Sequence, residues 1–121
     1  MIVMVKFKLK LNQNELKSVG TCCLYCMQQV HHVRTLQGLI SVETCERLYL
    51  RMRNMYRPDK NEYTLRLNTA EVDAVVNHVV PVMEFSEEPF FNIVGCGIGE
   101  DLRKQIDREL TIFNAMHHGQ E

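Results

Sequence analysis

A chain of 121 residues, 45% hydrophobic and 24% charged, fits one domain around one core and is too apolar to remain disordered. With 14 basic and 15 acidic side chains the formal charge is -1, so no global field draws it to nucleic acid or anionic lipid, and such binding would need a local patch. No apolar run approaches the roughly 18 residues of a membrane span, and Lys6, Lys8 and Lys10 break up the leading Met1–Val5 run before a signal-peptide core can form, so a cytoplasmic protein is expected.

In chain order, Val3, Val5, Phe7, Leu9 and Leu11 alternate with Met4, Lys6, Lys8 and Lys10, the period-2 pattern of a strand with one buried face. Asn12 then sits where a helix N-cap belongs, and Glu15 takes the third helical position, as in a capping box. Leu16, Val19, Cys23, Cys26, Met27, Val30 and Val33 recur at helical spacing and predict a helix from about Gln13 to Val33. A turn is expected around Gln37-Gly38. Val42, Cys45, Leu48, Tyr49, Met52, Met55 and Tyr56 then mark a second amphipathic helix that ends before Pro58.

The opening then recurs. Phe7 to Leu16 aligns without a gap on Tyr63 to Val72, 56 residues on: Tyr63, Leu65 and Leu67 alternate with Glu62, Thr64 and Arg66, and Asn68 and Glu71 repeat the cap. Val72, Val75, Val76, Val79 and Met83 predict a helix that Pro81 should bend or end. Residues 86–94 fit either a short helix with Pro89 in its first turn or a loop whose Phe90, Phe91, Ile93 and Val94 plug the core. Leu102, Ile106, Leu110, Phe113 and Met116 predict a last long helix that begins after Gly95-Cys96-Gly97-Ile98-Gly99. The expected architecture is α+β: a single domain of two tandem strand-helix-helix units, 1–57 and 58–121, related by a pseudo-twofold, with an antiparallel strand pair packed against a mainly helical core. Because a two-stranded sheet is marginal alone, either the helices dominate or the sheets of two chains join, and a homodimer is expected.

Few residues are left over for chemistry. Cys23 and Cys26 form a C-x-x-C, the spacing of a zinc knuckle or a thiol-redox pair. Both fall about three turns inside the first helix on its buried stripe, whereas redox pairs use a helix N-terminus, so a core role is expected. His31-His32 could add a metal ligand, and so could His117-His118, although the tail from His117 reads as disordered. Five cysteines, Cys22, Cys23, Cys26, Cys45 and Cys96, are an odd, irregular set that argues for reduced thiols. Ile93-Val94-Gly95-Cys96-Gly97-Ile98-Gly99-Glu100-Asp101-Leu102 resembles the first glycine-rich motif of S-adenosylmethionine-dependent methyltransferases, but only 22 residues follow Gly99, too few for the alternating domain that motif opens. The glycines are therefore expected to make a tight connection, with Glu100 and Asp101 favouring the next helix's N-terminus.

Lys6, Lys8, Lys10 and Arg66 would share the outer face of the strand pair, and Arg47, Arg51, Arg53 and Arg57 crowd the second helix. Glu43, Glu46, Asp59 and Glu62 intersperse them, and no exposed aromatic for base stacking is evident, which favours a solvated face. Ser18, Ser41 and Ser86 fall at helix or cap positions, and no catalytic grouping, cofactor site or metal site can be assembled. The expectation is a non-enzymatic protein acting through a protein-protein interaction surface. The alternatives are a nucleic-acid-binding protein using its Lys/Arg faces and a small zinc or thiol-redox protein using Cys23 and Cys26.

Overall fold

Leucines that alternate with lysines build the strand pair. In the computed structural model, which describes residues 6–28 and 33–117, β1 (Phe7–Asn12) and β2 (Glu62–Leu67) form a two-stranded antiparallel sheet. Phe7 stands opposite Leu67, Leu9 opposite Leu65 and Leu11 opposite Tyr63, and all six are buried on one face. Leu9 thus faces the residue 56 positions on, the same offset that aligns the two sequence segments.

Both strands hand over to helix by the same exchange of hydrogen bonds. The Asn12 side chain accepts from Glu15 N at 2.8 Å while Asn12 N donates to the Glu15 carboxylate at 2.8 Å, opening α1 (Gln13–Gln28). Asn68 and Glu71 do the same, again at 2.8 Å each way, opening α3 (Thr69–Ala74). Two otherwise orphaned donors are thereby satisfied at each helix start.

α1 stops short of the expected Val33, which is exposed outside the helix; Val30, His31 and His32 lie outside the described residues. α2 (Leu36–Met55) starts earlier than the expected turn at Gln37-Gly38. Thr35 is the reason: its hydroxyl accepts from Gly38 N at 3.0 Å, which makes it an N-cap and puts both residues in the first helical turn. Cys45, Leu48 and Met52 are buried on the inner face of α2.

Pro81 neither ends nor sharply breaks the third helix. Val75–Val79 widen into a π-helical turn, in which Val80 N bonds to Val75 O five residues back, and α4 (Val80–Glu84) takes Pro81 in its first turn, where no intrahelical donor is needed. Of 86–94, the helical alternative holds: α5 (Pro89–His117) starts with Pro89 in its first turn, and of the four residues expected to plug the core only Val94 is fully buried.

The expected connection at Gly95–Gly99 is instead continuous α5, and Glu100 and Asp101 lie inside the helix, away from its start. The glycines serve helix contact. A Cβ at Gly95 would lie 2.6 Å from Met83 Cβ, and one at Gly99 would lie 3.2 Å from Val80 Cγ1, so their bareness lets α5 settle against α4. Asn92 fastens the intervening bend, its amide donating to Met83 O, Glu84 O and Ser86 O at 2.8–3.1 Å.

The fold is therefore α+β: an antiparallel strand pair with one face packed against a helical core, the other left to solvent. Among the described residues no helix is long and apolar enough to cross a membrane.

Candidate functional site

Because successive strand side chains alternate in direction, burying the leucines sends the intervening polar residues outward together. Lys8 and Lys10 of β1, and Thr64 and Arg66 of β2, are all exposed on the open face, and Lys6, just before the strand, is exposed as well. The ladder sets Lys8 directly opposite Arg66 and Lys10 opposite Thr64. Two cations on one rung repel, a cost of some tenths of a kcal/mol. The one ion pair among the described residues, Arg51 to Glu71 at 3.1 Å, relieves neither of them.

The two sheet edges are closed at that same rung. Gln105 of α5 accepts from Lys8 N at 3.1 Å and donates to Lys8 O at 2.8 Å, a side chain standing in for a neighbouring strand. On the other edge Arg51 of α2 donates to Arg66 O at 2.8 Å. Backbone groups that could recruit a further strand are occupied there, so the ribbon presents side chains and little free backbone. Arg51 is thus spent on structure, and so is Arg57, which donates to Asn54 O and Tyr56 O at the end of α2. Arg47 and Arg53 remain exposed.

The two sulfurs of the C-x-x-C sit in different surroundings. Cys23 is fully buried and burial pushes its thiol well above the usual range, whereas Cys26 is half-buried at a cavity of about 440 Å³. That cavity, between α1, α2 and the π-helical turn, is lined by Cys26, Cys45, Arg34, Tyr25, His78 and Val82 among others. Cys26 Sγ donates to His78 O at 3.5 Å, and with Cys45 of α2 on the same cavity wall the influence of the two thiols on one another raises the Cys26 thiol and lowers that of Cys45. Nothing in the spacing of Cys26 and Cys45 signals the shared wall, because packing of two helices alone creates it. Among the described residues no group of three His, Cys, Asp or Glu is placed to hold a metal ion. His117 is the last residue of α5, its ring 4.2 Å from that of Phe113, and His118 lies outside the described residues.

Ser18 and Ser41 donate to Asn14 O and Gln37 O, and Ser86 accepts from Glu88 N, so the serines serve helix and cap. Two apolar expectations fail. Leu110, Phe113 and Met116 of α5, expected in the core, are about half exposed, because α5 runs on past the elements that could cover them. With Phe7, Val72, Val76 and Ile106, Leu110 and Phe113 line a groove of about 390 Å³. Exposed aromatics also exist: Phe85 is 88% exposed, and Tyr25, Phe90 and Phe113 are exposed too.

Comparison with protein-family models, with curated proteins and with solved structures finds no match to this chain.

Proposed function

We propose that this is a non-enzymatic protein that acts through an interaction surface, that the surface is the open face of the β1–β2 ribbon, and that its partner is duplex DNA. The carrying observation is the rung that sets Lys8 opposite Arg66 with no carboxylate paired to either among the described residues, flanked by Lys6, Lys10 and Thr64. Repulsion within a ribbon is relieved by an anion lying across it, and a phosphate backbone supplies a row of them. Two strands about 4.8 Å apart with outward side chains fit a B-form major groove about 12 Å wide. Arg66, Lys8 and Lys10 are of the types that donate to guanine O6 and N7, and Thr64 contacts either base class. A-form RNA hides its major groove from side chains, which favours DNA. The two capping boxes and the Leu9–Leu65 pairing support a further reading, that the halves 1–57 and 58–121 are copies of one strand-helix-helix unit about a pseudo-twofold through the ribbon. Such a protein works in the cytoplasm, where its thiols stay reduced.

The test is binding of the full chain to duplex DNA and duplex RNA of equal length across a salt series. The expected result is DNA binding whose log affinity falls linearly with log salt, with a shallower slope in Lys8→Ala and Arg66→Ala, while circular dichroism of the variants is unchanged. Absence of DNA binding at low salt, or an equal affinity for RNA, rejects the ribbon reading.

A second surface is favoured by the exposed face of α5, where Leu110 and Phe113 line the groove beside the partly buried Ile106 and Met116 is exposed one turn further on. Both signs occur along this stretch, in Asp107, Arg108 and Glu109, so a twofold can set Arg108 of each copy toward an acidic residue of the other. The proposed occupant is a second copy of this chain, since a twofold lets one patch cover itself. Sedimentation should give a dimer that Phe113→Asp converts to monomer; a monomeric wild-type chain at high concentration rejects it.

A further inference from the structure

We propose that the hollow between α1 and the α4–α5 bend is a docking site for a basic amphipathic protein segment, one that carries an apolar side chain beside arginines or lysines. This uses none of the ribbon's residues, so it and the DNA reading can fail separately. The hollow, about 530 Å³, is walled by Tyr25 of α1, Pro81 and Val82 of α4, and Phe85 and Phe91 at the bend. Phe85 is its unusual member. The ring is 88% exposed, so nearly all of an aromatic surface that folding normally buries faces water, and Tyr25 is 49% exposed. The backbone under Phe85 is tied down: Phe85 N donates to Pro81 O at 3.0 Å, Ser86 N to Met83 O at 3.3 Å and Glu88 N to Ser86 Oγ at 3.1 Å, while the Asn92 amide holds three carbonyls of the bend. Phe85 is thus presented on a fixed backbone, and covering it orders little of this chain.

Charge selects the occupant. Glu84, Glu87 and Glu88 share the bend with Phe85, the last two are exposed, and none of the three is in an ion pair among the described residues. No lysine or arginine occurs in the sequence between Arg66 and Arg103, and the Arg103 guanidinium packs over Gly99, well along α5. Arg34 lines the adjoining cavity, which shares Tyr25 and Val82, but not this hollow, and Lys17 of α1 is turned to the ring of Tyr56 at 5.0 Å. An arginine beside the seated apolar group would gain both a carboxylate and the face of Phe85 or Tyr25. The same carboxylates repel nucleic acid and anionic lipid. The basic ribbon of a second copy is a poor occupant, because the side chains that it turns outward, Lys8, Lys10, Thr64 and Arg66, include no apolar anchor.

The test titrates the full chain into a fluorescein-labelled amphipathic peptide of leucine and arginine, with a leucine and glutamate counterpart as control, and follows anisotropy. The expected result is saturable binding of the arginine peptide and none of the glutamate peptide. Phe85→Ser should weaken binding about tenfold or more, the scale of a lost aromatic anchor. Glu87→Lys combined with Glu88→Lys should weaken it as much and admit the glutamate peptide, while Lys8→Ala changes nothing. All four side chains are exposed, so circular dichroism and thermal midpoint should match the parent chain. Equal binding of the two peptides, undiminished binding in Phe85→Ser, or no binding at all overturns the proposal. So does self-association, or binding to neutral lipid vesicles, that Phe85→Ser abolishes, since either gives the ring another occupant.

Discussion

Gln105 and Lys8, 97 residues apart in the chain, join by two hydrogen bonds in which a side-chain amide copies the pairing of a strand. The amide Oε1 accepts from Lys8 N and its Nε2 donates to Lys8 O, and Asp101 Oδ1 orients the amide by accepting from the same Nε2 at 3.1 Å. A two-stranded ribbon gains in this way the edge protection that a wider sheet gives its inner strands. Since α5 carries Gln105, docking the last helix and closing the ribbon edge are one event.

Replacing Gln105 by Ala removes two partly solvated hydrogen bonds and is expected to cost about 1 kcal/mol, because water takes over part of the pairing. Gln105→Glu should cost more, since it offers no donor to Lys8 O and sets a second carboxylate beside Asp101. Urea unfolding of both variants measures the order; an equal or smaller loss in Gln105→Glu contradicts this account of the amide's orientation.

The two capping boxes have equal geometry but unequal surroundings. Asn12→Ala and Asn68→Ala should each lose about 1 kcal/mol. Glu71 additionally pairs with Arg51, which also reaches Arg66 O, whereas Glu15 has no cationic partner among the described residues. Glu71→Ala should therefore destabilise more than Glu15→Ala, and the excess should vanish in an Arg51→Ala background. A double-mutant cycle gives the coupling directly.

Gly95 and Gly97 lie two residues apart in one helix and predict opposite outcomes. Gly95→Ala drives a Cβ to 2.6 Å from Met83 Cβ and should cost about 1–3 kcal/mol. Gly97→Ala meets nothing within 4 Å, and helix propensity should stabilise the chain by up to about 1 kcal/mol. Thermal unfolding midpoints that shift in the same direction for both would refute the packing role given to Gly95.

Alkaline pH should weaken the fold through its buried thiols. Burial pushes the Cys22 thiol from an ordinary 9.0 up to about 11, so the folded chain holds its proton where the unfolded chain releases it. Stability is accordingly full below pH 9 and falls as pH rises from 9 through 11. Unfolding free energies measured over that range should decline less steeply in Cys22→Ala; an identical slope would mean that Cys22 ionises as freely in the fold as outside it.

Local information explains most of what was legible in advance. Alternation of Phe7, Leu9 and Leu11 with lysines, and the Asn12–Glu15 and Asn68–Glu71 spacings, are short-range signals whose physics is complete within a few residues, and the strands, their buried faces and both caps follow from them. The turn expected at Gln37-Gly38 was misplaced because Thr35 caps the helix from just outside the window, and the Gly95–Gly99 run misled because glycine serves helix contact as readily as turns. That second meaning depends on Met83 and Val80, which no local pattern connects to it.

By itself the sequence determined an α+β chain with one apolar strand face, a row of outward lysines and two Asn-capped helix starts, because period, propensity and capping act between near neighbours. Only the tertiary structure decided that Lys8 stands opposite Arg66, that Cys26 shares a cavity wall with Cys45 while Cys23 is buried elsewhere, and that the end of α5 leaves Leu110, Phe113 and Met116 uncovered. These are contacts between distant segments, set by strand register and by which helix faces find room to pack, and chain spacing carries no record of either.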